Sequence, residues 1–106
     1  MDNFTTISDE QLAAKSQQGS LDAYEELVRR HETKLFHFLC QKLPSREDAQ
    51  DLAQKTFLNA WKRIKLFRCD AKFDTWLYTI ARTLVHRHYR KHGRIVYVEM
   101  ECTGAT

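Results

Sequence analysis

Residues 48–61 read DAQDLAQKTFLNAW and have the clearest periodicity in the sequence. Apolar and small residues return every three or four positions here and just beyond: Ala49, Leu52, Ala53, Thr56, Phe57, Ala60, Trp61 and Ile64. That spacing places them on one face of an α-helix, and such a face is typically packed in a core. Ser45, three residues before Asp48, is a suitable N-cap. The stretch therefore predicts an amphipathic helix that packs against its neighbours.

Three further helices are predicted around this stretch. Ser8, with Gln11 three residues later, begins one that ends near Gly19, and the next begins at Ser20 and ends at Pro44. The last follows a polar loop at residues 67–72 and ends at Gly93. Its apolar face repeats the spacing of residues 48–61: Phe73, Trp76, Leu77, Ile80, Ala81, Leu84, Val85 and His88. We therefore predict an all-α fold, a compact bundle of about four helices.

The composition favours one small helical domain. The chain has 106 residues, 42% of them hydrophobic, with only 3 glycines and 1 proline, which excludes collagen-like and turn-rich all-β classes. We predict an N-terminal extension at residues 1–7, a helical domain at 8–93 and a linker or tail at 94–106. The strand-like residues 95–98 have no second strand with which to pair.

The cysteines and the hydropathy pattern place the chain in a reducing compartment. Cys40, Cys69 and Cys102 have no CxxC spacing, so neither a disulfide framework nor a zinc site is indicated. The N-terminus lacks the features of a signal peptide, and no apolar run approaches the ~20 residues that span a bilayer. We expect a cytoplasmic protein.

Positive charge is concentrated in the second half of the chain. Residues 61–106 carry 10 Lys and Arg against 4 Asp and Glu, whereas residues 1–60 carry 7 against 10. In the loop, Arg68 and Lys72 stand beside aromatic residues, a combination typical of single-stranded nucleic-acid binding. There are two alternatives to a nucleic-acid role. The positive charge could belong to an ordinary solvated face, and Phe73 and Trp76 could form the first core turn of the last helix.

No motif for catalysis is present, and we predict no enzyme, no cofactor and no metal. The sequence lacks a glycine-rich phosphate loop, a GxSxG elbow and an HExxH motif. His86, His88 and His92 have a spacing at which a metal site is conceivable. However, His88 falls on the predicted buried face, and His92 lies near a helix end where a cation suits the helix dipole.

Three segments, taken in order, resemble the signature of bacterial sigma factors of the extracytoplasmic-function type. They are GSLDAYEEL at residues 19–27, DAQDLAQKTFLNAW at 48–61 and FDTWLYTIAR at 73–82, and the resemblance covers about residues 8–93. It implies the second conserved region of such a factor, which binds the clamp of the RNA polymerase β′ subunit and captures the promoter −10 element during melting. It also implies an anti-sigma factor as a partner.

The resemblance also implies roles for individual residues. The residues that it assigns to polymerase binding are Asp51, Gln54, Lys55, Phe57 and Trp61. The residues that it assigns to DNA are Arg68, Asp70, Ala71, Lys72, Phe73, Trp76, Arg82, Thr83, His86, Arg87, Arg90 and Lys91. Within the second set, the Arg68–Lys72 loop would cradle a flipped base, Phe73 would stack on a base, and Trp76 would abut the upstream edge of the bubble.

Two positions depart from the family pattern. Lys55 stands where the family usually has Glu, and Thr83 stands where it usually has Asn, which affects a polymerase contact and a base contact respectively. The −35-reading helix-turn-helix domain of the family has no counterpart in these 106 residues. A helical protein-interaction module without a DNA-binding role is the alternative function, and binding of a −10-like single strand would discriminate between the two.

Overall fold

Four α-helices make up most of the computed structural model, which describes residues 4–92 and, for His92, only its place in a helix. In chain order they are α1 at Asp9–Gln17, α2 at Leu21–Lys42, α3 at Arg46–Arg63 and α4 at Phe73–His92. Short 3₁₀ turns lie at Phe4–Thr6 and Ile64–Leu66. The prediction of an all-α bundle of about four helices is confirmed. The predicted helix end at Gly93 and the predicted tail lie outside the described residues.

Local capping explains where the helices begin and end. The Ser8 hydroxyl accepts the Gln11 amide at 3.1 Å, and the Gln11 side chain accepts the Ser8 amide at 2.9 Å, so the predicted capping box is present. Ser20 and Ser45 cap α2 and α3 through the amides of Ala23 and Asp48. Gly19 has φ of +98°, a conformation that favours glycine and lets the chain turn from α1 into α2.

The core consists of two clusters, and α2 contributes to both. One contains Leu12 of α1 and Leu27 of α2, packed with Phe73 and Leu77 at the start of α4. The other joins the second half of α2 to the first half of α3 and the later turns of α4, through Leu35, Leu39, Ala49, Leu52, Val85 and Tyr89. Both ends of α4 are therefore anchored on the same long helix.

The buried face of α4 differs from the predicted one at its C-terminal end. Tyr89 is buried, whereas the His88 ring lies at the margin, with Nε2 3.6 Å from the Asp48 carboxylate. Tyr89 follows Val85 by four positions, about one helical turn, so it continues the core stripe although the prediction did not include it. The His88 side chain is only 12% exposed, so it lies beside this stripe close to its predicted place.

A polar network that the apolar pattern did not predict joins α1 to α2. His31 lies on the buried face of α2, and its Nε2 is 2.9 Å from Asp9 of α1. Arg30 reaches the other Asp9 oxygen at 3.0 Å and the Phe4 carbonyl at 2.6 Å, and it also pairs with Glu26. The Arg30 guanidinium, more than any other group, holds the pKa of Glu26 below its ordinary value. The network fixes the position of α1 on α2.

Tyr24 links α2 to α3 and provides a test of this packing. Its hydroxyl donates to the Phe57 carbonyl, its ring centre lies 5.0 Å from that of the half-buried Trp61, and burial raises the pKa of Tyr24. Tyr24→Phe should therefore lower the free energy of unfolding by about 1 kcal/mol near neutral pH. Chemical denaturation of both proteins measures this difference.

The same comparison has a pH dependence of known sign. Above a pH of about 10, Tyr24 ionises in the unfolded chain but stays protonated in the folded one, so the wild type loses stability that the variant does not lose. The difference in the free energy of unfolding between wild type and Tyr24→Phe should therefore become smaller as the pH rises above about 10. If this free-energy difference stays constant at alkaline pH, the Tyr24 hydroxyl is not buried as the structure places it.

Candidate nucleic-acid and protein-binding surfaces

The loop before α4 exposes most of its side chains. Arg68, Asp70, Ala71 and Lys72 are exposed, and Cys69 is half-buried. The Ala71 amide donates to the Arg68 carbonyl at 2.9 Å and closes a turn, while the Arg68 guanidinium pairs with Asp70 at 3.1 Å. The four loop residues that the resemblance assigns to a base pocket are therefore adjacent and open to solvent.

Two side chains of α1 hold this loop at both ends. Gln17 donates through Nε2 to the Ile64 carbonyl at 2.9 Å and to the Phe67 carbonyl at 2.7 Å, and its oxygen accepts from Cys69 at 3.4 Å. Glu10 accepts the Phe73 amide at 2.8 Å, at the first residue of α4. A carboxylate at this position also suits the positive end of the helix dipole. Because these contacts join residues far apart in sequence, the local pattern contained no signal for them.

Phe73 is a core residue in this structure. Its side chain is fully buried, and its ring centre lies 5.4 Å from that of His31 and 5.7 Å from that of Phe67. Neither face of the ring is open to solvent in this structure, and the expected stacking of Phe73 on a base stays a prediction. Trp76 is half-buried with its ring centre 5.2 Å from that of Phe67. The core alternative therefore holds for Phe73 and in part for Trp76.

One side of α4 forms a basic surface. The six α4 residues assigned to DNA beyond Trp76 are all exposed: Arg82, Thr83, His86, Arg87, Arg90 and Lys91. Within residues 4–92, no carboxylate forms an ion pair with any of the four Arg and Lys side chains among them. The Thr83 hydroxyl donates to the Thr79 carbonyl at 3.0 Å, which leaves its oxygen lone pairs facing outward as acceptors. Unpaired cations at this density are suited to bind phosphates.

A second surface lies on α3. Asp51, Gln54 and Lys55 are exposed, Phe57 and Trp61 are half-buried, and Lys55 pairs with Asp51 at 3.0 Å. Such an exposed pair contributes little to stability, so both groups remain available to a partner. Leu58 is 52% exposed and follows Gln54 and Lys55 by one turn, which gives the surface an apolar centre. The sequence analysis missed Leu58, although a leucine off the apolar stripe is a visible signal.

The described residues contain neither a cluster suited to a metal ion nor a membrane-spanning helix. In this part of the chain, no group of three or more His, Cys, Asp and Glu side chains could hold a metal ion. His88 faces Asp48, and the side chain of His92 is not described. None of the helices in residues 4–92 is both long and apolar enough to cross a membrane.

Comparison with known proteins finds one family and related structures. Residues 27–95 match the family described as sigma-70 region 2. The chain is 33% identical over 90 residues to the RNA polymerase sigma-H factor of Pseudomonas aeruginosa, covering 85% of this chain and 47% of that protein. It is 33% identical over 86 residues to the ECF RNA polymerase sigma factor SigW of Bacillus subtilis, covering 81% and 46%. The chain therefore spans about half the length of the curated relatives it matches.

Two solved structures share the fold. One is an engineered region 2 of sigmaE in complex with GTAAAA, with a TM-score of 0.73 and 30% identity over 83% of this chain and 90% of that one. The other is CnrH in complex with the cytosolic domain of CnrY, with a TM-score of 0.72 and 28% identity over 92% of this chain and 62% of that one.

The contacts of Gln17 generate a testable prediction for the loop. Gln17→Glu replaces the amide donor with a carboxylate oxygen that faces two carbonyl oxygens, so the loop should lose its anchor at a cost of about 1–3 kcal/mol. Amide hydrogen exchange at residues 67–73 should accelerate, with a lower melting temperature. Gln18→Glu introduces the same charge at an exposed neighbouring position and is the control. Equal exchange rates in the two variants would contradict the anchor.

Proposed function

The chain belongs to the sigma-70 region 2 family, and we propose that it is the region 2 domain of an extracytoplasmic-function sigma factor. In this role it binds core RNA polymerase through α3 and the promoter −10 element through the 68–72 loop and α4. The observation that carries the proposal is the family match at residues 27–95, because that span contains both surfaces whole. The role is one of binding, with no reaction catalysed.

The α3 surface has the properties of a protein contact. Leu58 supplies exposed apolar area, and Asp51, Gln54 and Lys55 surround it with polar groups. Apolar centres with polar rims are typical of specific protein interfaces. We assign this surface to the β′ clamp of RNA polymerase, and the half-buried Trp61 to its edge. Because Lys55 already pairs with Asp51 at 3.0 Å, the charge that departs from the family pattern is partly neutralised within α3.

The loop and α4 have the properties of a nucleic-acid contact. The exposed cations of α4 supply sequence-independent attraction to phosphates, while the loop offers a carboxylate, an ammonium group and backbone amides to a base edge. The relative solved with GTAAAA, an engineered region 2 of sigmaE, supports this assignment. The alternative of an interaction module without a DNA role is not favoured, because it does not account for the α4 cations that have no carboxylate partner.

Two further partners follow from the proposed role. A regulatory protein that covers the α3 or α4 surface would act as an anti-sigma factor, and the relative CnrH was solved with the cytosolic domain of CnrY. Core RNA polymerase and promoter DNA would place the chain in the bacterial cytoplasm. We propose residues 8–93 for region 2 and 94–106 for a linker or tail, and the family match at residues 27–95 covers most of the proposed domain.

Leu58 tests the polymerase assignment. Leu58→Ser should weaken binding to core RNA polymerase about tenfold, equivalent to ~1.4 kcal/mol for a central interface residue, with an unchanged melting temperature because Leu58 is exposed. Leu21→Ser is a matched control, since Leu21 of α2 is 54% exposed and lies outside the surface. Affinity is measured by a fluorescence titration with purified core enzyme. Equal affinities for the two variants would remove Leu58 from the interface.

The loop and α4 should respond differently to mutation if the DNA assignment is correct. Arg87→Ala should weaken all single-stranded oligonucleotides alike and lower the salt slope by about 0.7. Asp70→Ala with Lys72→Ala should change which −10 base is preferred and largely spare affinity for an unrelated strand. A competition among −10 variants with core polymerase present, repeated over a series of salt concentrations, measures both effects. If both changes cause the same sequence-independent loss, the loop is not a base pocket.

A further inference from the structure

A cluster of cations and aromatic rings lies where α2 meets α4. Phe38 of α2 is half-buried, with the Lys42 ammonium 5.6 Å and the Arg82 guanidinium 5.7 Å from its ring centre. The Tyr78 ring meets Phe38 edge-on with a centroid distance of 5.1 Å. Because Tyr78 and the core hold Phe38 in place, the ring in turn orients two cations through their attraction to its π-electrons.

The two cations have no anionic partner in the described part of the chain. No carboxylate of residues 4–92 lies within ion-pair distance of Lys42 or Arg82. Lys34, one turn before Phe38 on the same face of α2, is exposed and equally unpaired. Cations without a carboxylate partner are free to attract an anion from solution. The cluster therefore presents two oriented cations that can attract a negatively charged group.

The cluster is continuous with the basic surface of α4. Arg82 belongs to both, and Arg90 lies eight positions, about two turns, further along the same side of the helix. A polyanion that lies along α4 therefore reaches Phe38 and Lys42 without leaving positively charged surface. This continuity favours a nucleic-acid backbone over a small anion, which would need no extended row of cations.

We propose that Lys42 and Arg82, oriented by Phe38, bind the phosphodiester backbone of the strand that α4 contacts, so that α2 contributes to nucleic-acid binding. The inference rests on the proposed function and adds a site on a helix to which the sequence analysis gave no DNA contact. Lys42 supplies a point charge and Arg82 a planar set of donors, and both are common phosphate ligands. Phe38 is a positioning residue that holds the cations before the strand arrives.

The test uses the 106-residue chain and a fluorescent single-stranded oligonucleotide, with the dissociation constant measured over a series of salt concentrations. Lys42→Ala should weaken binding severalfold and lower the salt slope by about 0.7, the value for one phosphate contact on a single strand. Lys15→Ala removes an exposed lysine from α1 and is the charge-matched control.

The role of Phe38 needs its own variant. Phe38→Leu keeps an apolar side chain for the core but removes the π-face, so binding should weaken while the melting temperature changes little. Phe36→Leu is the matched control, because Phe36 is also half-buried on α2 and holds a single cation, Arg46, at 5.0 Å. We expect the Phe36 variant to bind like the wild type.

The outcomes separate this inference from the proposed function. If Arg87→Ala weakens binding while Lys42→Ala behaves like Lys15→Ala, the α2 site is overturned and the α4 surface stands. If the wild type and all variants fail to bind the oligonucleotide, both are overturned. If Phe38→Leu and Phe36→Leu reduce affinity equally, the positioning role of Phe38 is wrong.

Discussion

The candidate DNA surface depends on hydrogen bonds from α1 to the segment between α3 and α4. Ordering an exposed loop costs about 1–2 kcal/mol of conformational entropy per residue, so contacts from outside the loop help to keep it in one shape. Gln17 and Glu10 fix the loop at residues 64–69 and at Phe73, and α1 is itself fixed on α2 by Asp9 and His31. The loop shape therefore depends on two layers of polar contacts behind it.

The two candidate surfaces use different physical chemistry although they share one core. On α3, Leu58 provides apolar area within a polar rim, which suits a protein partner that excludes water. On α4, Arg and Lys side chains without carboxylate partners can attract a polyanion, and the range of this attraction shortens as the salt concentration rises. Phe73 and Leu77 bury the opposite side of α4. Because the core fixes the positions of α3 and α4 relative to each other, one small domain can present both surfaces to a larger assembly.

The local features of the fold were predictable, and the long-range ones were not. Ser8, Ser20, Ser45 and Gly19 determine the helix boundaries through contacts within a few residues, so the sequence pattern located them. The burial of Phe73 and the contacts of Gln17 depend on helices far away in sequence, and no local pattern encodes them. For the function, the charge asymmetry alone did not distinguish a nucleic-acid surface from an ordinary solvated one. The three segments that resemble a sigma factor favour a nucleic-acid surface over that alternative, and the family match agrees with the resemblance itself.

The proposed function requires that separate faces of this domain bind a nucleic-acid strand and RNA polymerase. An NMR titration of the isotope-labelled chain with a single-stranded −10-like oligonucleotide tests it most directly, because every backbone amide reports in one experiment. We predict the largest shift changes at residues 68–72 and on the exposed side of α4, with Asp51, Gln54 and Leu58 unaffected. Changes centred on α3, or an absence of changes at saturating oligonucleotide, would contradict the account.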